Sequence, residues 1–465
     1  MESVWSKEVR IPERKRLTED IRADVAVIGA GMAGILTAYA LKCQGKKVVV
    51  LEADRIGSGQ TGKTTAKITS QHGLKYAKLC RLYGTEKASL YARANQVAID
   101  AYEWLVKEKK ISCHFKRVPS FLYATEDTKA LKQEEKAARM LKLPVSYKED
   151  IGLPFHTAGG LCLENQAQFS PLLFLKEITR ELVIYEHTKV LSVKGHRQMT
   201  EKGSVRAKHI VFATHYPIAN LPGFYFLRQH QERSYCIALA PDESAKGQER
   251  SEQPQSRRKE DKQVEGLYYG IEKNGISIRR DGEKILLGGF SHRTGWTPKA
   301  SGYHKLTEAA KKWFPGYKEI ARWSAQDCMP HDGIPFIGRY SVFRPYWYVA
   351  TGFGKWGMTA SMLSAIIICD DICGRKNPYA ALFAPFRFHP VAGFLPFLKD
   401  VCISTWGLLS GYFGAAPRCP HMGCQLKWNP VEESWDCPCH GSRFNSKGEL
   451  LDDPSVKNAA KHFFL

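Results

Sequence analysis

The sequence predicts a mixed α/β (α+β) protein with three parts: a parallel-sheet unit, an antiparallel sheet interleaved with it along the chain, and a small all-β unit at the carboxyl end. Three observations carry this prediction. A glycine-rich turn stands between a strand and a helix near the amino terminus, a hairpin signal lies past the middle, and cysteines and histidines cluster in the last fifth of the 465 residues. A chain of this length suggests two or three domains.

The composition is typical of a globular protein, with 43% hydrophobic and 25% charged residues. The formal net charge of +21 favours acidic partners, such as a small acidic redox protein, an anionic membrane surface or nucleic acid. Lysine and arginine are not interleaved with aromatic residues in the way that a strand-binding groove requires. We therefore expect no nucleic-acid function.

The amino-terminal stretch MESVWSKEVRIPERKR has no apolar core, so no secretory signal is predicted. No convincing apolar run reaches the roughly 18 residues that a membrane span needs. The nearest run, 401–417, is interrupted by glycine and serine, so we expect no membrane span. Thirteen cysteines without a signal predict a reducing, cytoplasmic setting, where clustered cysteines more often bind metal than form disulfides.

The stretch DVAVIGAGMAGILTAYALKCQGKKVVVLE, residues 24–52, predicts a strand, a glycine turn, a helix and a second strand. Gly29, Gly31 and Gly34 have G-x-G-x-x-G spacing, and Glu52 ends the second strand. The first glycine permits the tight turn, the second lets the backbone approach a pyrophosphate, and the third lets the helix pack on the strand. Glu52 can accept hydrogen bonds from ribose hydroxyls. The unit is predicted to be Rossmann-like and to bind a dinucleotide at the helix N-terminus.

Several later stretches predict the elements around this unit. Helical spacing over 85–108 predicts a long amphipathic helix, and HIVFATHYPI, residues 209–218, predicts a buried strand of the parallel type. Residues 275–290 predict a hairpin, because an Asp-Gly pair stands between two apolar runs. The stretch 241–266 carries many charges of both signs and little apolar character, so we expect a mobile insertion there.

Four further stretches carry a resemblance to a known family: GSGQTGKTTAKITSQHG (57–73), HIVFAT (209–214), DCMPHDGIPFIGRY (327–340) and ATGFGKWGMT (350–359). Together with the glycine turn they resemble the D-amino-acid oxidase and glycine oxidase superfamily of FAD oxidoreductases, over roughly residues 22–375. In such proteins the last two stretches close over the flavin. The resemblance implies FAD as the cofactor, held by Gly29, Ala30, Gly31, Met32, Ala33, Gly34, Glu52, Ala53, Lys63, Thr64, Thr65, Ala213, Thr214, Gly352, Gly354, Gly357, Met358 and Thr359.

Other polar residues keep two interpretations, and no catalytic residue is identified. By position, Gln71 and His72 resemble the loop that passes the flavin, but they could equally belong to an ordinary polar loop. Arg279 or Arg280 stands where relatives often present a carboxylate-binding arginine, although the hairpin explains them as well. His331 is expected to position other groups rather than to transfer protons. Amine oxidation by hydride transfer needs no strong protein base.

The carboxyl-terminal cluster has the spacing of a metal site. Cys419 and His421 form C-x-H, Cys437 and His440 form C-x-x-H, and fifteen residues separate the pairs. Two thiolates and two imidazoles suit a [2Fe-2S] cluster with the cysteines on one iron and the histidines on the other. Tetrahedral zinc would accept the same four ligands.

The wider stretch resembles the Rieske domain, whose two boxes read C-x-H-x-G-C and C-P-C-H-G-S, and both are matched in full. The resemblance implies that the four residues above bind iron, that Cys424 and Cys439 form a disulfide, and that Pro454 lies in a loop over the cluster. Rieske domains normally build several strands before the first box. The segment before Cys419 shows no strand alternation, so the domain is interpreted as shortened, and its cluster could be weakened.

The sequence therefore predicts three parts: an FAD-dependent oxidoreductase (1–388), a linker (389–413) and a Rieske-like iron-sulfur domain (414–465). We expect a flavin enzyme that oxidises a small molecule, an amine or amino acid, with electrons relayed between FAD and the [2Fe-2S] cluster. The positive charge favours an acidic electron-transfer protein as partner. The alternatives are an electron-transfer protein without a substrate of its own and a shortened relative with a weakened cluster.

Overall fold

The structure is a computed structural model that describes residues 1–242, 264–296, 301–387 and 389–460. The predicted mobile insertion at 241–266 lies mostly outside the described residues, as does residue 388, the predicted end of the first domain. Over the described ranges, the strands form three sheets and helices pack against them. The predicted mixed α/β class is confirmed.

The first sheet is mainly parallel and has the order β16-β17-β10-β1-β2-β7. The predicted strand, turn, helix and strand at residues 24–52 form its centre. Every residue of β2, VVVL, is buried, as expected for a parallel strand that is covered on both faces. Its strands are β1 (Ile21–Ile28), β2 (Val48–Leu51), β7 (Val183–Tyr185), β8 (Ser192–Lys194), β9 (Arg197–Met199), β10 (Ser204–Phe212), β16 (Phe336–Ser341) and β17 (Arg344–Thr351).

The second sheet is mainly antiparallel and has the order β15-β11-β14-β13-β12-β4-β6-β3, with β5 paired to β6. The predicted hairpin is present, because Asp281 pairs with Lys284 across Gly282, whose φ is +60°. Its strands are β3 (Lys67–Ile68), β4 (Lys116–Ala124), β5 (Val145–Lys148), β6 (Gly159–Gln168), β11 (Gln229–Pro241), β12 (Leu267–Gly270), β13 (Ser277–Asp281), β14 (Lys284–Arg293) and β15 (Tyr317–Pro330).

The third sheet is small and antiparallel and has the order β18-β19-β20-β21. All four strands follow the first metal box, so the described segment before that box contributes no strand to this sheet. The strands are β18 (Lys427–Asn429), β19 (Ser434–Asp436), β20 (Arg443–Asn445) and β21 (Leu450–Asp452).

The helices pack mainly on the first two sheets. The long helix Tyr76–Glu108 is interrupted at Gly84, where φ is +80°, so the helix predicted over 85–108 is its second half. The α-helices of the described chain are Val4–Glu8, Met32–Cys43, Tyr76–Glu108, Lys129–Met140, Pro171–Ile178, Gly302–Trp313, Gly357–Ile372, Ala380–Phe383 and Pro390–Phe413. Short 3-10 helices span Gln60–Lys63, Thr179–Glu181 and Tyr225–Leu227.

The predicted linker at 389–413 is a helix, Pro390–Phe413, which we call the surface helix. By length and composition alone, its residues Ala392–Phe413 could cross a membrane. The sequence predicts no span here because glycine and serine interrupt the apolar run, yet the helix continues through Gly407 and Gly411. Both glycines lie against the metal boxes, as described below.

Candidate functional site

A cavity of about 540 Å³ lies beside the glycine turn, at the carboxyl ends of β1 and β2. This is the edge of a doubly wound sheet where ligands bind. Gly29 adopts a φ of +104°, and a Cβ there would lie 2.5 Å from the carbonyl oxygen of Ala213. A Cβ at Gly34 would lie 2.0 Å from the carbonyl oxygen of Gly29. The turn and its close packing therefore require glycine at both positions.

The start of the helix Met32–Cys43 and the end of β2 form one wall of this cavity. The helix begins at Met32, whose backbone N–H donates to Thr61 Oγ1 at 2.9 Å. Glu52 accepts hydrogen bonds from the N–H of Ala30 at 2.6 Å and from the N–H of Asp54 at 2.9 Å. Burial raises the pKa of Glu52, although these two donors oppose the shift. The carboxyl group is thus fixed in place at the cavity wall.

Most of the predicted cofactor-binding residues line this cavity: Gly29, Gly31, Met32, Ala33, Glu52, Ala53, Lys63, Thr64, Ala213, Thr214, Gly357 and Met358. The other six are not among the lining residues. Thr359 is buried with its hydroxyl 3.3 Å from His72 Nε2, and Gly354 donates its N–H to the carbonyl oxygen of Cys328 at 3.0 Å. The remaining predicted residues outside the lining are Ala30, Gly34, Thr65 and Gly352.

The cavity also has lining residues that the sequence did not identify. Asp327, Phe353 and Lys355 belong to stretches that carried the family resemblance, so their positions could have been inferred from it. Burial raises the pKa of Asp327 to about 6. Residues 450–453, from β21 and the turn after it, line the same cavity. No sequence pattern pointed to this contribution from the carboxyl-terminal domain.

Three residues with two interpretations lie outside the cavity lining. Arg279 is fully buried, donates to the carbonyl oxygens of Thr65 and Ala66 at 2.9 and 2.8 Å, and pairs with Asp281 at 2.7 Å. Its guanidinium is therefore occupied and does not line the cavity. Gln71 and His72 are also outside the cavity lining. His72 contacts the Tyr91 hydroxyl at 2.7 Å and stacks on Trp356, with 4.8 Å between ring centroids.

The four predicted metal ligands converge at the other functional region. The rings of His421 and His440 lie edge to face with their centroids 5.0 Å apart. Interaction with the Cys437 thiol and burial raise the pKa of Cys419. Burial lowers the pKa of His440 and, helped by the nearby His440, lowers that of His421 to about 4. Neutral imidazoles are the form that binds metal.

The histidine nitrogens provide the test of fit for an iron-sulfur cluster. Within the described chain, His421 Nδ1 and both ring nitrogens of His440 are buried without a hydrogen-bond partner. Buried polar atoms are rarely left unpaired, because each costs about 1–3 kcal/mol. Metal coordination would satisfy one nitrogen of each ring. The donor set of Cys419, His421, Cys437 and His440 therefore fits the cluster.

The predicted disulfide between Cys424 and Cys439 is not supported, because all thirteen cysteines are free thiols. The sulfur atoms of Cys424, Cys437 and Cys439 lie within 4.8 Å of one another. Both cysteines of the predicted disulfide therefore lie beside Cys437, a predicted cluster ligand. The surface helix packs against these three cysteines, since a Cβ on Gly407 would lie 2.5 Å from Cys439 Sγ. The segment before the first box, which showed no strand alternation, thus packs on the boxes as a helix.

The histidine side of the cluster seat faces the oxidoreductase unit. His421 Nε2 contacts Asn220 Oδ1 at 2.8 Å, and the ring of Phe226 meets that of His440 edge to face at 6.0 Å. Gln231 Nε2 donates to the carbonyl oxygen of His440 at 2.8 Å. Both candidate ligand histidines are therefore positioned by residues of the larger unit.

A row of charged groups runs away from the cavity along β11. Lys355, which lines the cavity, pairs with Glu232 at 2.9 Å, and Glu232 lies 3.6 Å from His230 Nε2. Burial alone would raise the pKa of Glu232, but His230 and Lys355 lower it to about 2. Burial alone would lower the pKa of Lys355, but Glu232 raises it overall. Both groups are therefore charged near neutral pH.

The row continues to the surface helix and the second metal box. Asp400 of the surface helix accepts from His331 Nε2 at 2.6 Å and pairs with Arg293. Arg293 also donates to the carbonyl oxygens of Pro438 and Cys439, at 2.8 and 3.0 Å. The positioning role expected of His331 is compatible with this contact and stays a prediction. Asp400 and Arg293 join the surface helix, β14 and the second box.

Comparisons with known proteins agree with both regions. Residues 24–370 match the model of the FAD dependent oxidoreductase (DAO) family, and residues 410–463 match that of the Rieske [2Fe-2S] domain. YhfW of Bacillus subtilis (strain 168), named as a Rieske 2Fe-2S iron-sulfur protein, is 32% identical over 508 aligned positions. That alignment covers 98% of this chain and 96% of YhfW.

Solved structures show the same fold in the larger unit. Glycine oxidase from Geobacillus kaustophilus superposes with a TM-score of 0.64 at 19% identity, covering 79% of this chain and 99% of the oxidase. L-proline dehydrogenase from P. horikoshii superposes with a TM-score of 0.63 at 17% identity, covering 80% and 98% of the two chains. At these identities the superpositions establish the fold alone.

Proposed function

Because the chain belongs to the FAD dependent oxidoreductase (DAO) family and carries a carboxyl-terminal Rieske [2Fe-2S] domain, we propose that it oxidises a small amine or amino acid and relays the electrons between flavin and cluster. When bound, FAD takes two electrons from a substrate, whereas the cluster carries one at a time. The substrate and the relay are the proposed parts. The cofactors themselves follow from the two families.

One observation carries the relay: the Rieske domain contributes to the flavin cavity itself. Residues 450–453 line the cavity together with Gly29 and Glu52. Asp452 accepts from Gln60 Nε2 at 3.2 Å and lies 3.6 Å from Lys63 Nζ, and both partners line the cavity. A domain in this position supports electron exchange with the flavin more directly than one attached by a free linker.

The proposed substrate class rests on the family and on the charges in the cavity. The fold neighbours named above are an oxidase of glycine and a dehydrogenase of L-proline. Lys355 keeps its charge through Glu232 and would offer an ammonium group to a substrate carboxylate. Asp327, with its pKa near 6, would hold or release a proton beside the substrate nitrogen. We propose these two residues for orientation of the substrate.

Electron transfer without a substrate of its own is the second candidate. The observation that favours it is that the cavity lining contains neither Arg279 nor Arg280, the two candidates for a carboxylate-binding arginine. The terminal nitrogens of Arg279 are bound by Thr65, Ala66 and Asp281. In either case, the charge of +21 supports an acidic electron-transfer protein as the external partner. The thirteen free thiols support a reducing compartment, and we propose the cytoplasm.

Anaerobic reduction by a panel of amines and amino acids tests the substrate. We expect one member to bleach the flavin band and then the cluster band of the purified protein. The Cys437→Ser variant should keep the flavin bleaching and lose the cluster band, whereas Cys43→Ser, which alters an exposed thiol, should behave like the wild type. If only dithionite bleaches the flavin, the substrate proposal is wrong. If the protein contains FAD but no iron or acid-labile sulfide, the relay is wrong.

A further inference from the structure

The surface helix presents an apolar face to solvent. Residues spaced three or four apart along it point outward, and Leu395, Trp406 and Phe413 are 75%, 72% and 81% exposed. We call this surface the outer face; its large apolar residues are Phe394, Leu395, Leu398, Trp406, Leu408, Leu409, Tyr412 and Phe413. At 1.5 Å per residue the stripe is about 28 Å long. Contiguous exposed apolar surface of this extent marks an interaction site.

The opposite face of the helix is fixed to the protein, so the outer face cannot turn inward. A Cβ on Gly411 would lie 2.2 Å from the carbonyl oxygen of Gly423, and Gly407 packs as closely on Cys439. Asp400, on the same inner face, is buried and bound to His331 and Arg293. Crossing a membrane would break all of these contacts. The helix is therefore suited to lie along a surface rather than to span a bilayer.

The charges around the outer face indicate which surface it meets. From residue 394 to residue 413 the helix contains two charged residues, and Asp400 is the buried one, so Lys399 is the charged residue that faces outward. Arg418 is exposed just beyond the helix and donates to the carbonyl oxygen of Tyr412 at 3.0 Å. Copies of a chain with a net charge of +21 repel one another, whereas an anionic surface attracts each of them.

The aromatic residues favour the boundary between water and lipid. Trp406 and Tyr412 each combine an apolar ring with a polar atom, and such residues are enriched where one end is apolar and the other wet. Trp296, 45% exposed, extends the patch beside the helix, with Lys399 Nζ 5.8 Å from its ring. A docked apolar stripe that has cations and aromatic rings at its border would gain both buried apolar area and attraction to anionic lipid, the two contributions that hold a helix in a membrane interface.

We propose that the outer face docks on an anionic lipid membrane, with the surface helix parallel to the membrane plane. Apolar side chains of the outer face enter the acyl boundary, while Lys399 and Arg418 meet lipid phosphates. The same helix supports the second metal box, so docking holds the Rieske domain at the membrane surface. This inference is independent of the substrate and of the electron relay, because binding to lipid is measured without turnover.

Cosedimentation with vesicles tests the proposal on the full-length holoprotein. We expect binding to vesicles of phosphatidylcholine mixed with phosphatidylglycerol, and at least tenfold weaker binding to phosphatidylcholine alone. The variant Leu395→Gln/Trp406→Gln/Phe413→Gln should lose binding at least tenfold. The control Val342→Gln/Phe343→Gln alters two apolar residues that are 63% and 76% exposed outside the surface helix, and it should bind like the wild type. Unchanged flavin and cluster absorbance would show that the variants fold.

Other outcomes would overturn the proposal. Absence of binding to the anionic vesicles, or equal binding by wild type and triple variant, would refute docking of the outer face on a membrane. A wild-type dimer that becomes monomeric in the triple variant would make a second copy the occupant of the outer face. Protein that is released from the vesicles only by detergent, and not by high salt or alkaline washing, would indicate a spanning helix instead.

Discussion

Arg233 on β11 and Glu432 in the turn between β18 and β19 form a buried ion pair that joins the oxidoreductase unit to the Rieske domain. Arg233 Nη2 lies 3.1 Å from Glu432 Oε1, and Nε contacts the other carboxylate oxygen. Arg443, on β20, approaches the same carboxylate at 3.1 Å. The side chains of Arg233 and Glu432 are 3% and 7% exposed. If the Glu432 carboxylate were removed, the guanidinium groups of Arg233 and Arg443 would stay buried at the interface without the negative charge of Glu432.

The variant Glu432→Gln should therefore destabilise the domain interface. Breaking a buried ion pair from one side costs about 3–5 kcal/mol. We expect that loss in urea unfolding monitored at the cluster band, while Glu433→Gln, in an exposed neighbour, should cost less than about 0.5 kcal/mol. Equal stability of the two variants would show that the pair contributes nothing to the interface.

The same carboxylate predicts a dependence on pH. Burial alone would raise the pKa of Glu432, but Arg233 and Arg443 lower it from 4.5 to about 2. A depressed pKa contributes stability that is present above pH 4.5 and is lost as the pH falls toward 2. The wild type should lose stability relative to Glu432→Gln over that range, as measured by urea unfolding at a series of pH values. A constant difference between the two proteins would contradict the assignment.

Gly441, in the second metal box, is predicted to be essential for docking of that box. Its φ is +90°, and a Cβ there would lie 2.6 Å from the Cβ of Gln231. The variant Gly441→Ala should lose most of its iron and acid-labile sulfide while retaining FAD. Gly423→Ala is the matched control, because Gly423 has a φ of +85° with no atom within 4 Å of the added Cβ. It should suffer backbone strain of about 1–2 kcal/mol and keep more of its cluster.

Asp400 is predicted to be the main anchor of the surface helix. Asp400→Asn would leave Arg293 buried without its carboxylate, and we expect a loss of about 3–5 kcal/mol in the free energy of unfolding. The control Asp371→Asn breaks the exposed pair with Arg339 and should cost less than about 1 kcal/mol. Limited proteolysis under native conditions should also cut the surface helix faster in Asp400→Asn than in the wild type or in Asp371→Asn. Equal cleavage of both variants would show that other contacts hold the helix.

The raised pKa of Asp453 predicts that FAD binding weakens as the pH rises. Burial and the neighbouring Asp452 raise the pKa of Asp453 to about 7, and the residue lines the cavity that would hold FAD, whose pyrophosphate is anionic. Below pH 7 the neutral carboxyl does not repel a phosphate, whereas above pH 7 the carboxylate does. We expect the FAD dissociation constant of the wild type to rise between pH 6 and pH 8, and that of Asp453→Asn to stay constant. Parallel curves in fluorescence titration would refute this role.

The sequence predicted the local features well, because each depends on a few neighbouring residues. The turn at Gly29 needs a backbone that only glycine supplies, and the spacing of the two metal boxes limits which side chains can meet around a cluster. Gly29 and Glu52 both line the cavity, and the four box residues converge. These patterns specify geometry within one turn or loop, so a single sequence displays them.

Features set by packing between distant segments could not be predicted. Arg279 has the position of a ligand-binding residue, yet its Nη1 donates to backbone carbonyls more than two hundred residues earlier in the chain. The disulfide expected from the Rieske resemblance is not formed. The linker is helical, and its Gly407 and Gly411 allow close contact with the boxes, a contact that nothing in the local sequence revealed.

The contribution of residues 450–453 to the flavin cavity also sets an order for biosynthesis. These residues emerge from the ribosome more than 400 positions after Gly29, so the nascent chain carries a cofactor cavity with one wall missing until synthesis is nearly finished. We expect that flavin entering early would meet an open cleft, and that it would be fully retained once the iron-sulfur domain folds over it. The shared wall therefore predicts that maturation of the two redox centres is coupled.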